Sequence, residues 1–129
     1  MADLSFPTLH FIEREKKPRE KGINYVRAPV MVGSCIEDYL EAYADLVDIF
    51  KISGKQGALM SKKSLLRFLA SCKDFDVKVA LGNPIMDVAL SNGKEAVDGL
   101  LDDVVNFCLL YTSDAADEGL GVDLGGRRI

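Results

Sequence analysis

The chain has 129 residues, 48% of them hydrophobic, which is about the size of one ordinary domain with enough apolar side chains for a core. Its 16 basic and 20 acidic residues give a formal net charge of -4, and the sequence lacks the field of lysines, arginines and interleaved aromatic residues that a nucleic-acid site needs. It also lacks both an export signal and an apolar run of the roughly 18 residues that a membrane span requires, so we predict neither nucleic acid nor membrane as a partner.

Residues 1–21 are predicted to form a leader that precedes the folded part of the chain. The only histidine, His10, lies in it and receives no role, because a catalytic or metal-binding histidine needs partners. The charge run from Glu13 to Lys21 is interrupted by Pro18, which disfavours a helix. We interpret this run as a solvated approach to the first strand.

Three short apolar segments, each followed by a helical pattern, predict strands. They cover residues 22–27, 47–53 and 77–81. Helices are predicted over residues 35–46, 62–74, 85–90 and 94–107, with Ser34 and Ser61 as N-caps of the first two. Because no hairpin turn separates the strands, we expect them to be parallel and joined by crossover helices.

The second predicted strand carries two charges, Asp48 and Lys51. Parallel strands are usually covered on both faces, so a charge in one tends to lie near an end or at a functional mouth. Lys51 lies just before the glycine-bearing loop 53–57, and a lysine at this position is well placed to bind an anion. Two alternatives stay open: the lysine extends to water from a strand end, and the glycines only make a turn.

No fourth strand is predicted after Phe107. Residues 108–129 show neither strand nor helix periodicity, are rich in glycine and aspartate, and resemble the translated read-through of a sequencing adapter. A natural flexible tail is the alternative. We treat this segment as a non-native or disordered tail, exclude it from the fold prediction, and expect the natural gene to continue, so that the chain is a fragment.

Cys35, Cys72 and Cys108 are widely spaced and form no Cys-x-x-Cys pair. This pattern predicts reduced thiols in a cytoplasmic protein.

The segment Lys17-Pro-Arg-Glu-Lys-Gly22, the stretch from Glu37 to Lys51 and the third unit from Val77 to Lys94 resemble the phosphosulfolactate synthases and their eukaryotic heat-stress-associated relatives. The resemblance covers residues 16–107. It implies an α/β fold in which residues 22–107 supply about three βα units, the N-terminal part of a (β/α)8 TIM-type barrel with parallel strands. The activity it implies is a lyase reaction, the magnesium-dependent addition of sulfite to phosphoenolpyruvate on a route to coenzyme M.

The same resemblance implies a small phosphorylated acid and sulfite as partners, Mg2+ as cofactor and possible homo-oligomers at full length. In a barrel of this type the site lies at the carboxyl ends of the strands. Lys51 matches the lysine of the family's second-strand motif and is predicted to be catalytic. The predicted substrate-binding residues are Arg27, Ser53, Gly54, Gly57, Gly82 and Asn83. The metal ligands and the proton donor are left unassigned.

The loops keep a second hypothesis open. Ser53-Gly-Lys-Gln-Gly57 is closer to the serine-glycine form of the eukaryotic branch than to the synthase pattern, and Asn83-Pro84 replaces a small glycine or threonine pair. A barrel relative that no longer catalyses this reaction and serves in stress tolerance or protein interaction is therefore the alternative. The fragment by itself is expected to be inactive.

Overall fold

A computed structural model describes residues 5, 8–10, 14–29, 31–53, 55–107 and 109–111. Within these residues, four parallel strands form one sheet in chain order: β1 (Tyr25–Arg27), β2 (Ile49–Ile52), β3 (Lys78–Leu81) and β4 (Leu110–Tyr111). The helices are α1 (Cys35–Tyr43), α2 (Gln56–Leu59), α3 (Lys62–Asp74), α4 (Asn83–Ser91) and α5 (Lys94–Asn106), and a 3₁₀ turn covers Ala44–Leu46.

The predicted α/β fold with parallel strands is confirmed by the register of the sheet. Val26 of β1 lies opposite Phe50 of β2, and Phe50 lies opposite Val79 of β3. Neighbouring strands that follow one another in sequence, with helices in the connections, are consistent with the N-terminal part of a TIM-type barrel.

One face of the sheet is covered by α1 and α3. Phe50 is fully buried, and its ring centre lies 5.9 Å from that of Tyr39 in α1 and 6.3 Å from that of Phe68 in α3. Leu40 of α1 and Cys72 of α3 complete this core with no exposed surface. Since successive strand residues point to opposite faces, Lys51 lies on the other face of the sheet.

The element boundaries differ from the prediction at several places, of which three are described here. β1 begins at Tyr25 rather than at residue 22, because Gly22 has a φ of +62°, which an extended strand does not use. α4 begins at Asn83 because Pro84 occupies the first helical turn, where a missing N–H costs nothing. The short helix α2 lies where the sequence predicted only a loop.

One of the two predicted N-caps is confirmed. The Ser61 hydroxyl accepts a hydrogen bond from the Ser64 N–H at 3.2 Å at the start of α3. Ser34 makes no side-chain cap bond, because it already has helical backbone angles, whereas an N-cap residue is typically extended. That prediction was wrong.

The prediction that no strand follows Phe107 is wrong for residues 110 and 111, which pair in parallel with Ala80 and Leu81. Leu109, just before them, is 8% exposed and belongs to the core. A strand of two residues carries no periodicity, so the sequence pattern could not show it. The rest of the predicted tail, Cys108 and residues 112–129, lies outside the described residues. Among the described helices, none combines the length and the apolar character needed to cross a membrane.

Candidate functional site

The carboxyl ends of the first three strands bring Arg27, Lys51 and Gly82 to one edge of the sheet, here called the carboxyl edge. Arg27 lies directly opposite Lys51 in the register of β1 and β2. Just beyond them, the Ala28 N–H donates to the Lys51 carbonyl at 3.0 Å and the Gly82 N–H donates to the Ile52 carbonyl at 3.0 Å. Two cationic side chains and a glycine therefore meet as the parallel topology requires.

Lys51 is half-buried, and its side chain lies against neighbours rather than extending freely to water. Its Nζ lies 5.8 Å from the centre of the Tyr25 ring, within the range of a cation–π contact. Its Cε lies 3.4 Å from the position that a Cβ on Gly82 would occupy. The ammonium is thus held on the open face of the sheet, close to its carboxyl edge.

Two of the predicted glycines are explained by packing. A Cβ on Gly82 would lie 2.9 Å from the Ile52 carbonyl oxygen, closer than real Cβ atoms approach a backbone oxygen. A Cβ on Gly57 would lie 3.2 Å from Ile52 Cγ2 and 3.6 Å from Ile85 Cδ1. Both positions are narrow, and their roles in substrate binding stay predictions.

The other predicted substrate-binding residues have mixed positions. Ser53 follows β2 directly and is half-buried, and Asn83, next to Gly82, is the first residue of α4 and also half-buried. Both therefore lie beside the carboxyl edge. Gly54 lies outside the described residues.

A second polar cluster, which the sequence did not reveal, lies at the opposite edge, here called the amino edge. The carboxylate of Asp48 accepts hydrogen bonds from Arg19 Nη1 at 2.6 Å, from Arg14 Nη2 at 3.1 Å and from the Asn24 N–H at 2.8 Å. Burial works to raise the pKa of Asp48, but the bonds from Asn24, Arg19 and Arg14 outweigh it and hold this pKa below its ordinary value. The carboxylate is therefore kept ionised.

The same arginines also bind backbone carbonyls. Arg19 Nη2 donates to the Asp45 carbonyl at 2.7 Å, and Arg14 donates to the carbonyls of Leu46 and Gly22 at 3.2 and 2.7 Å. The side chain of Arg19 is only 6% exposed. The interpretation of residues 13–21 as a solvated charge run is therefore wrong for Arg19, because Asp48 draws its guanidinium inward.

Lys17 ties the leader to the start of β3. Its ammonium donates to the carbonyls of Phe75 and Asp76 at 3.2 and 3.0 Å. Partial burial lowers the pKa of Lys17, and the attraction of Asp48 and Asp76 offsets this only in part. A small cleft at this edge is lined by Lys17, Pro18, Arg19, Ile23, Asp48, Ile49, Asp76 and Lys78. The polar groups of Lys17, Arg19 and Asp48 are already engaged with one another and with the backbone, so the cleft supports the leader rather than a ligand.

The sequence held one clue to this cluster, the segment Lys17-Pro-Arg19 that carried the family resemblance. The residue types of this segment do not show which residues it contacts, because Arg19 bonds to Asp48, 29 positions away, and Lys17 bonds to Phe75, 58 positions away.

Within the described residues, no group of three or more histidine, cysteine, aspartate or glutamate side chains could hold a metal ion. Magnesium commonly binds through only one or two carboxylates together with substrate phosphates. The Mg2+ that the resemblance implied therefore stays a prediction.

Comparison with known proteins adds a family to this geometry. Residues 12–109, which are 98 of the 129 residues, match the model of a family described as (2R)-phospho-3-sulfolactate synthase (ComA). The matched segment includes the amino-edge cluster, the carboxyl edge and helices α1 to α5. No curated protein matches the chain.

Proposed function

The chain belongs to the (2R)-phospho-3-sulfolactate synthase family, and from this we propose that its carboxyl edge forms part of a site that adds sulfite to phosphoenolpyruvate. A phosphosulfolactate synthase-like function is what the family match supports. The observation that carries the finer proposal is the placement of Arg27 opposite Lys51 at the carboxyl edge of a parallel sheet, where barrel enzymes bind their substrates.

The reaction explains why cations are needed there. Sulfite forms a carbon–sulfur bond to the methylene carbon of phosphoenolpyruvate, the carbon–carbon π bond breaks, and its electrons move onto the carboxylate. A proton then goes to the carbon that carries the phosphate. Positive groups held in place before the reaction stabilise the charge that accumulates on the carboxylate.

We assign Lys51 to this charge and Arg27 to the phosphate or carboxylate of the bound substrate. The guanidinium of Arg27 can bind two oxygens of an anion at once, whereas the ammonium of Lys51 acts as a compact point charge. Tyr25, beneath the ammonium of Lys51, helps to hold it on this face. The proposal assigns no proton donor.

Magnesium remains part of the proposal only through the family resemblance. When bound, it would supply further positive charge to the anionic intermediate. Because the described residues gather no metal-binding cluster, we take no step of the reaction through it. A cytoplasmic location is likewise proposed, and the free thiols of Cys35 and Cys72 support it.

The experiment is a chimera in which residues 12–109 replace the matching segment of an active (2R)-phospho-3-sulfolactate synthase. Phosphosulfolactate formation from phosphoenolpyruvate and sulfite is measured for the chimera and for Lys51→Ala within it. We expect Lys51→Ala to lower kcat by about 10²- to 10³-fold, the usual loss when one charge-stabilising group is removed.

The matched control is Lys78→Ala, which removes an exposed lysine from the same face of the sheet at its other edge, and which should leave the rate unchanged. Equal rates for Lys51→Ala and the parent chimera remove Lys51 from the mechanism. A folded chimera without activity favours the non-catalytic alternative.

A further inference from the structure

The position of Arg27 opposite Lys51 depends on the register of β1, and apolar burial does little to fix that register. β1 has three residues, of which Tyr25 and Arg27 are exposed and only Val26 is half-buried. Register is strongly specified where a strand buries one whole face and weakly specified where it does not. A slip of one residue would turn Arg27 to the other face and leave Lys51 opposite a different neighbour.

Polar contacts at the amino edge supply what burial does not. Asp48 Oδ2 accepts from the Asn24 N–H at 2.8 Å, while the Asn24 carbonyl accepts from the Ile49 N–H at 3.0 Å. Because Asp48 and Ile49 are adjacent, two hydrogen bonds hold Asn24 at the start of β2. These bonds lie immediately before the first residue pair of the ladder, Tyr25 opposite Ile49.

The burial of Asp48 and Arg19 makes their contacts favour one register of β1 over the others. The side chains of Arg19 and Asp48 are 6% and 9% exposed, so their charges have largely left water. A shifted β1 would carry the Asn24 N–H away from Asp48 and would strain the leader that delivers Arg19. A buried charge that loses a partner is strongly destabilising, so alternative registers are penalised far more than a surface ion pair could penalise them.

We propose that Asp48, with Arg19 and the Asn24 N–H, is a register lock that places Arg27 opposite Lys51, so that Asp48 and Arg19 are positioning residues for the carboxyl edge. The register itself is a property of the fold, and its use for catalysis rests on the proposed function. The lock acts along β2, since Asp48 directly precedes this strand and Lys51 lies near its carboxyl end.

The test reads the register directly in the 129-residue chain by NMR. Scalar couplings across hydrogen bonds identify which carbonyl each amide uses. Three bonds are followed: Ile49 to Asn24 and Ala28 to Lys51 report on β1 with β2, and Gly82 to Ile52 reports on β2 with β3.

The first variant is Asp48→Asn, which keeps the shape of the side chain and removes its charge. We expect the Ile49 and Ala28 couplings to weaken or vanish and the Ala28 amide to exchange about tenfold faster, as befits the loss of a hydrogen bond to a charged group. The Gly82 coupling should keep its parent value.

The second variant, Asp48→Leu with Arg19→Leu, replaces the buried pair by apolar side chains, a change that is often neutral or stabilising for the fold. It therefore separates register from stability. We expect it to retain the Gly82 coupling and to lose the Ala28 coupling. If either variant keeps all three couplings at their parent values, the proposed lock is overturned. The loss of all three couplings in both variants also overturns it, because Asp48 and Arg19 would then support the whole fold rather than the register of β1.

Measurements on the chimera distinguish the proposed register lock from the proposed function. If the parent chimera is active, Asp48→Asn should raise the KM for phosphoenolpyruvate, because Arg27 no longer faces Lys51, while added Arg19→Leu should lower activity no further. An active Asp48→Asn chimera with parent KM overturns the positioning role. An inactive parent chimera counts against the proposed function alone, because the couplings still decide on the lock.

Discussion

Two charged residues, Asp48 and Lys51, lie three positions apart and reach opposite edges of the same sheet. Asp48 is 8% exposed and is stabilised by two arginines and a backbone N–H. Lys51 keeps access to solvent and rests over the Tyr25 ring. The rule that a charge in a buried strand lies near its end thus holds for both residues, with a structural role at one edge and a proposed chemical role at the other.

The ionisation of Asp48 predicts an acid-dependent loss of stability. Its pKa in the folded chain is lowered from the ordinary 3.8, so the unfolded chain takes up the proton first as pH falls. The stabilisation is therefore fully present well above pH 3.8 and is lost as pH falls through the lower, folded value. We expect the free energy of unfolding, measured with urea, to fall less between pH 6 and pH 3 in Asp48→Asn than in the parent chain.

Asp87→Asn is the control for this titration, because Asp87 is an exposed residue of α4. Its unfolding free energy should follow the parent curve. A parent-like pH slope in Asp48→Asn would mean that the arginine contacts of Asp48 do not persist in solution.

Among the secondary-structure elements, the local sequence pattern was enough to predict the long helices and the order of the strands. The apolar repeat of α3 and its Ser61 cap predicted Lys62–Asp74 with both ends correct. Local pattern failed where tertiary contact decides the outcome. The two residues of β4 are strand only because β3 offers them an edge, and α2 packs Gly57 close against Ile52, where the sequence shows just a glycine loop.

The start of α4 gives a prediction of its own. In Gly82→Ala the new methyl would meet the Ile52 carbonyl oxygen at 2.9 Å, so α4 or the end of β2 must shift. We expect a loss of about 1–3 kcal/mol in unfolding free energy, which is typical of overpacking, together with a displaced Lys51 amide resonance. Urea unfolding and a two-dimensional NMR spectrum measure the two effects.

Gly99→Ala is the matched control. Gly99 lies within α5, and nothing approaches within 4 Å of its added Cβ. Alanine there should stabilise the chain by roughly 0.5–1 kcal/mol, since glycine is a poor residue in a helix interior. Equal losses for both variants would exclude the close approach at Gly82 as the cause.

For the whole molecule, the sequence could predict which edge of the sheet gathers the candidate site but not what holds the other edge. Parallel strands bring their carboxyl ends together, so the meeting of Arg27, Lys51 and Gly82 follows from topology. The leader's contacts with Asp48 and Phe75 join residues 29 to 58 positions apart. Such distant pairs leave no periodic pattern in the sequence. The segment Lys17-Pro-Arg19 was therefore recognisable only through the family resemblance.

The open face of the sheet leads to the last prediction, which concerns how the 129-residue chain unfolds. Ile23 and Tyr25 near β1 and Leu110 in β4 are 50%, 39% and 37% exposed, and Val105 of α5 is 74% exposed. Apolar surface of this extent favours association. We expect a thermal midpoint by circular dichroism that depends on protein concentration, light scattering that rises with protein concentration, and no binding of phosphoenolpyruvate by calorimetry. A chain that stays monomeric at every concentration would contradict this, because it would require the open face of the sheet to be protected in solution.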